Sequence, residues 1–221
     1  GCHVITLKMS MGRGHARMTG INHSKTPFVI FCDSSNVIEP NFVEIALRQL
    51  VNPAVSSCFG RILNHEELSD TFSNWRGNHL FGQNKSYRKE VHTVDCLITY
   101  AVLMRKDHVI EVGNFNPKLR QCEDQDLGEK LIRKNYKIIS DPQLIAYSIR
   151  KESFRSLCTR FRRWRSRHNK EKNTFSEFFI TLKIAFLIFA REDLIEKNFK
   201  CLFISFSLPF YLLLQDFFKK S

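Results

Sequence analysis

Glu123-Asp124-Gln125-Asp126 places three carboxylates in four residues, and Asp33-Ser34-Ser35-Asn36 sets another acid in a polar run. Such a cluster has two ordinary uses. It stabilises the positive end of a helix, at about 0.3 to 1 kcal/mol per carboxylate, or it does carboxylate chemistry in a cleft. For Glu123 to Asp126 the helix-start use is the default, because Leu127, Leu131 and Ile132 follow at the spacing of one helix face. Two features weigh against stopping there. Gly113-Asn114-Phe115, a turn signal, lies about ten residues upstream. Asp33 also follows directly on the apolar run Pro27 to Cys32, which reads as a buried parallel strand. In open α/β sheets ligands bind outside the carboxyl ends of strands, so the Asp33 loop is the first place to look for a site.

The elements that must position these groups are legible in part. Phe42, Ile45, Ala46 and Leu50 form a helical pattern stopped by Asn52-Pro53, so the Asp33 loop lies between a strand and a helix. Val55 to Leu63 and Leu97 to Met104 read as further strands, and Val109 to Pro117 as a short helix ending in a turn. Tyr136 to Ile139 reads as a short strand closed by Asp141-Pro142. Asn64 to His92 is polar and without clean periodicity, and is expected to be a long surface excursion that covers a substrate. The opening Gly1 to Leu7 looks like a strand entered in mid-sequence, which leads one to expect chain before it, and is followed by a polar stretch with Gly12, Gly14 and Gly20.

A chain of 221 residues, 43% hydrophobic, can bury one sizeable core and is not disordered. Its net charge of +12 calls for an anionic partner. Arg150 to Lys172 alone carries +8 of that, so the excess is local; this argues for a membrane headgroup or nucleotide phosphate and against a surface coated by nucleic acid. Within this stretch Phe154, Leu157, Phe161 and Trp164 make an apolar helical stripe. Two apolar segments follow, Phe178 to Ala190 and the uncharged Cys201 to Leu214. Fourteen residues fall short of the roughly 20 that span a bilayer, so a hairpin or in-plane helices at a membrane interface are expected, against the alternative of soluble core helices. Seven scattered cysteines with no CxxC pair or zinc-ligand spacing read as thiols in a reducing compartment, and the histidines stand at no ligand spacing.

Taken together, several of these segments resemble the family-2 glycosyltransferases of GT-A fold. Gly14-His15-Ala16-Arg17-Met18-Thr19-Gly20 leading into Pro27 to Cys32 and Asp33-Ser34-Ser35-Asn36 is similar to the family's Ala-Arg-Asn run, strand and Asp-x-Asp motif. Val112-Gly113-Asn114-Phe115-Asn116 is similar to its Gly-Gly-Phe-Asp turn, and Cys122-Glu123-Asp124-Gln125-Asp126-Leu127 to its acceptor-side Glu-Asp motif. The motifs occur in family order over roughly Gly1 to Trp164. The resemblance implies an α/β fold with a mixed, mostly parallel sheet flanked by helices, and a C-terminal helical tail. It implies that Asp124 is the catalytic base of an inverting transfer and that Glu123 orients the acceptor or the base. Donor contacts would come from Arg17, Asp33, Ser35, Gly113 and Asn114, with a divalent metal, Mg2+ or Mn2+, on Asp33. Ser35 and Met18 depart from the family pattern, and Ser35 removes the second metal-binding acid. The implied partners are a nucleotide-sugar donor, a glycan or lipid-linked acceptor and the cytoplasmic face of a membrane, with nucleic acid not expected.

On this reading residues 1–150 are a partial GT-A domain lacking the family's first strand and helix, 151–174 a basic amphipathic helix and linker, and 175–221 a hydrophobic helical tail. Arg163-Trp164 resembles the end of the Gln-x-x-Arg-Trp motif of processive members, but Arg160 occupies the Gln position, so processivity is not assigned. Two other functions compete: a non-catalytic glycosyltransferase-like remnant, and a basic module that binds membrane or nucleic acid through Arg150 to Lys172. No Gly-x-Ser-x-Gly elbow, P-loop lysine or His-Glu-x-x-His occurs, which removes the usual hydrolase, nucleoside-triphosphatase and zinc-protease readings.

Overall fold

The computed structural model describes residues 3–68, 70–85, 89–119, 121–165 and 174–218. They form two compact units, one of residues 1–62 and 86–148, the other of 63–85 and 149–221. In chain order the elements are α1 (Arg13–His23), β1 (Phe28–Cys32), β2 (Asn36–Ile38), α2 (Phe42–Gln49), β3 (Val55–Asn64), α3 (Thr71–Trp75), β4 (His92–Thr93), β5 (Ala101–Arg105), α4 (Lys106–Glu111), α5 (Glu123–Arg133), β6 (Lys137–Ser148), α6 (Phe154–Arg165), α7 (Thr174–Ile184), α8 (Arg191–Ile195) and α9 (Phe199–Phe218).

The first unit is a sheet of order β1-β5-β3-β6-β2, with β4 also on β6. Side chains alternate along its strands, so each face has its own core. Ala101 and Leu103 of β5 and Cys58 of β3 pack with Phe42, Ile45, Ala46 and Leu50 of the α2 region. Val102, Met104 and Phe59 point the other way, toward Ile21 of α1, Val109 of α4, and Leu127 and Leu131 of α5. Helices therefore cover both faces, as the sequence leads one to expect.

Several expectations about the strands need correction. Val4 and Ile5 are exposed and residues 3–7 form no strand, since an extended segment becomes a strand only where a neighbour pairs with it. β1 pairs antiparallel with β5, and the β3/β5, β2/β6 and β4/β6 pairings are antiparallel too, against the mostly parallel character expected. A continuous apolar run reports that a strand is covered, not the direction of its neighbour. β6 does not stop at Asp141-Pro142 but continues to Ser148. Pro142 falls between the stretch that pairs with β4 (Ile139 and Ser140) and the stretch that pairs with β2 (Ala146 to Ser148), so neither register uses it. Here β6 runs close over Gly60 of β3, where a Cβ would stand 2.0 Å from the Leu144 carbonyl oxygen.

The second unit overturns the reading of Asn64 to His92 as a surface excursion. Residues 63–85 belong to this unit and are largely helical. Asp70 caps α3 by accepting from the Phe72 and Ser73 amides, and α3 continues as a π-helical turn, Arg76–Leu80. Trp75 and Arg76 are among the most buried side chains of the protein. Trp75 packs with Leu157, Cys158 and Phe161 of α6, Phe189, and Ile204 and Leu208 of α9. The apolar stripe of α6 is thus a core face. Trp164, expected on this stripe, and the part of the basic run at 166–172 lie outside the residues whose side chains are described. α7 passes through a π-helical stretch, Ala185–Ala190, into α8. α9 has 20 residues, about 30 Å by helical rise, and is long and apolar enough by length and composition to cross a membrane. It exceeds the 14-residue apolar run because the helix takes in Phe199 and Lys200 at one end and Gln215 to Phe218 at the other.

Candidate functional site

The site begins on α1, a helix hidden in the sequence by its two glycines, which are poor helix formers. Gly14 is required by contact: a Cβ there would lie 2.3 Å from the Asn116 carbonyl oxygen and 2.8 Å from that of Leu119. The helix is thereby laid directly on the loop that precedes α5, and the Gly14 amide donates to Leu119 O at 3.3 Å. Arg13 and Arg17, one turn apart, fall on the same helix face.

Both arginines meet Glu123, the first residue of α5. The Nε of Arg13 lies 3.1 Å from Glu123 Oε1, and Arg17 Nη1 donates to the same oxygen. The other terminal nitrogen of Arg17, Nη2, lies 3.4 Å from Asp33 Oδ1 in the turn between β1 and β2. One guanidinium therefore spans the two acidic motifs, which are 90 residues apart in sequence. The Glu123 side chain is fully buried, and its Oε2 meets no hydrogen-bond donor among the described residues. A buried carboxylate is tolerable only when paired, and the two guanidiniums do that. Arg17 is itself held between rings, with its Cζ 6.0 Å from the centroids of Phe31 and Phe115, which meet edge to face.

Asp124 differs from its neighbours. It is half-buried, and its Oδ1 accepts from the Gln125 amide at 2.9 Å. Asp126, two residues on, is paired with Lys130 at 2.7 Å, one turn along the helix. Of the three carboxylates, Glu123 is sequestered by arginines and Asp126 by a lysine, leaving Asp124 as the one with no cation partnered to it among the described contacts. Cys122 enters this helix with a left-handed backbone, φ 61°.

The turn at Gly113 and Asn114 is also left-handed, with φ +91° and 61°. Asn114 is buried and braces the packing: its Nδ2 donates to Asn22 Oδ1 of α1 at 3.1 Å, and its Oδ1 accepts from the Phe115 amide. The turn is thereby tied to α1 and carries Phe115 to the Arg17 platform. In the Asp33 turn, Asn36 donates its side-chain amide to Tyr100 O at 3.0 Å, and Ser35 is half-buried. Burial, and after it the charge of Asp33, push the Cys32 thiol up.

The structure thus brings Arg17, Asp33 and Glu123 into contact and sets Asp124 beside them, with Gly113 and Asn114 supporting from behind. Sequence reasoning missed Arg13 and the paired rings of Phe31 and Phe115. The Arg13–Arg17 spacing would have pointed to the first, had α1 been recognised as a helix. A divalent cation fits these residues poorly. The turn supplies one carboxylate, which already carries Arg17, and among the described residues no three His, Cys, Asp or Glu side chains converge on a metal position.

With this geometry in hand, the comparisons with known proteins are consistent. The model of glycosyl transferase family 2 matches residues 1–113. Pre-mycofactocin glycosyltransferases from two strains of Mycobacterium tuberculosis, CDC 1551 / Oshkosh and ATCC 25618 / H37Rv, are each 27% identical over 145 residues. That is 64% of this chain but 31% of theirs, so the chain spans about a third of the length of these curated relatives. Among solved structures, the mannosyltransferase PcManGT from Pyrobaculum calidifontis, in complex with GDP-Man and Mn2+, aligns with a TM-score of 0.52 at 11% identity, covering 91% of this chain and 54% of that one. The likeness shows the fold, a GT-A sheet with flanking helices.

Proposed function

Because the chain belongs to glycosyl transferase family 2, we propose that it moves a sugar from a nucleotide-sugar donor to a hydroxyl of a glycan or lipid-linked acceptor, with inversion at the anomeric carbon. The observation that carries this reading is the Arg17 bridge between Asp33 and Glu123. It joins the donor-side and acceptor-side motifs into one polar cluster, beside which Asp124 meets no cation among the described residues. Asp124 takes the proton of the acceptor hydroxyl as its oxygen attacks the anomeric carbon. The bond from that carbon to the donor phosphate breaks, and the nucleoside diphosphate leaves with the electron pair. Glu123, pinned by two arginines, cannot move toward the substrate and acts by orienting Arg17 and the start of α5. Asp33, Ser35, Gly113 and Asn114 shape the donor side.

The test compares Asp124→Asn with Asp126→Asn, reading release of nucleoside diphosphate from a panel of nucleotide sugars together with the melting temperature. A general base contributes about 10² to 10⁴ in rate, so Asp124→Asn should lose that much with its melting temperature kept. Asp126→Asn should lose only about 0.5 to 1 kcal/mol of stability, the worth of a charge at a helix start. Equal losses of activity would reduce the acidic run to a helix cap.

We further propose that the protein works at the cytoplasmic face of a membrane. Supporting this are the α7 to α9 region, which leaves Phe179, Leu187, Phe203, Phe210 and Leu214 exposed, and the basic side chains of α6. Cys32, Cys58, Cys158 and Cys201 form no disulfide, in keeping with a reducing compartment. Flotation with anionic liposomes should be lost on replacing Phe179, Phe203 and Phe210 by serine; unchanged flotation would remove the idea.

A further inference from the structure

We infer that this chain holds the donor diphosphate with arginine, Arg13 foremost, and does not require a divalent cation to do so. The inference rests on the sugar-transfer reading above and names what stands in for the metal at that site.

The first step is the misfit of a cation. Mg2+ and Mn2+ take hard oxygen ligands, usually one or two carboxylates together with the phosphates. Position 35 is serine, so the turn after β1 offers Asp33 alone. That carboxylate is already in contact with Arg17 Nη2, and a metal ion would have to displace a guanidinium to use it. Asn36 has turned its amide nitrogen to the Tyr100 carbonyl. The nearest further carboxylate on Arg17, Glu123, is buried and holds both Arg13 and Arg17. A divalent ion brought here would have to compete with two guanidiniums for the carboxylates of Asp33 and Glu123.

The same features favour an anion. Arg17 is spent as a brace, with one terminal nitrogen on each acidic motif. Arg13 is not: it meets Glu123 through Nε, and half of its side chain, 51%, is open to solvent. Its two terminal nitrogens meet no partner among the described residues and remain for an incoming group, and a guanidinium presents them in a planar fork that matches paired phosphate oxygens. The contact with buried Glu123 fixes the fork in advance, so little rotamer freedom is lost on binding. Arg13 stands one helical turn from Arg17 and hence beside both motifs. The charge that a second acid and a metal ion would bring together is supplied here by a neutral serine and an arginine.

The experiment is isothermal titration of the protein with UDP, GDP, ADP and dTDP in turn, in EDTA and in Mn2+. For the nucleotide that binds, affinity in EDTA should lie within about threefold of that in Mn2+. Arg13→Gln should weaken it at least about tenfold in EDTA, as expected for loss of charge-assisted bonds to phosphate, with the melting temperature kept. Ser35→Asp should restore a metal response, with Mn2+ tightening binding by about tenfold or more. Binding seen only with Mn2+, or an Arg13→Gln variant that binds as well as the parent, overturns the arginine reading and leaves sugar transfer standing. No binding of any of the four in either buffer overturns both.

Discussion

Two clusters in this protein are built from the same parts, a buried glutamate and two arginines, and they differ in what is left over. In the first unit Glu123 Oε1 takes Arg13 and Arg17, while Oε2 meets no donor among the described residues. In the second unit Glu152 Oε1 takes Arg76 and Arg160, each at 2.9 Å, and Oε2 accepts from the Ser156 hydroxyl. Arg76 also donates to Asn64 at 2.9 Å and is 1% exposed, against 51% for Arg13. At Glu152 both carboxylate oxygens are met, although Arg76 Nε and Arg160 Nε find no partner among the described residues, and the cluster joins the 63–85 segment to the start of α6. The Glu123 cluster is open at one arginine and at the neighbouring Asp124. A carboxylate met at both oxygens by buried partners holds a fold, whereas a half-exposed arginine beside an unmet oxygen can still bind.

Stability measurements on the two arginines break or sharpen this contrast. The largest effect belongs to Arg76→Met, which strips one partner from a buried pair and should cost about 3 to 5 kcal/mol in chemical denaturation. Arg13→Met removes a half-exposed partner and should cost no more than about 1 kcal/mol, because solvent screens such pairs. Similar losses for the two would erase the distinction between the two clusters.

A smaller effect concerns pH. Burial raises the Glu152 carboxyl, but the Ser156 hydroxyl and the Arg160 and Arg76 charges outweigh it and hold the group below the ordinary glutamate value of 4.5. A depressed carboxylate contributes stability that is fully present above its unfolded value and lost as pH falls through its folded one. The melting temperature should therefore decline below about pH 4.5, and Glu152→Gln, compared with the parent, should flatten part of that decline. Parallel curves for the two proteins would show that the cluster does not titrate in this window.

What the sequence by itself determined is local. The Asp33 turn, α2 and α5 were legible because their signals, a strand end, a helical stripe and an acidic helix start, lie within a few residues of one another. The motif order was legible for the same reason, and it was enough to name the family resemblance. The tertiary structure decided everything that depends on partners distant in the chain. Whether β1 lies parallel or antiparallel is set by β5, which begins almost 70 residues after the end of β1. The segment 64–85 has no helical period because its burial comes from single large side chains, Trp75, which meets α6 and α9 residues, and Arg76, which meets Glu152 just before α6. The helix α1 exists despite Gly14, since that glycine lets it lie on the backbone before α5. Only that close approach brings Arg13 and Arg17 onto Glu123, and with them the charge that distinguishes this site.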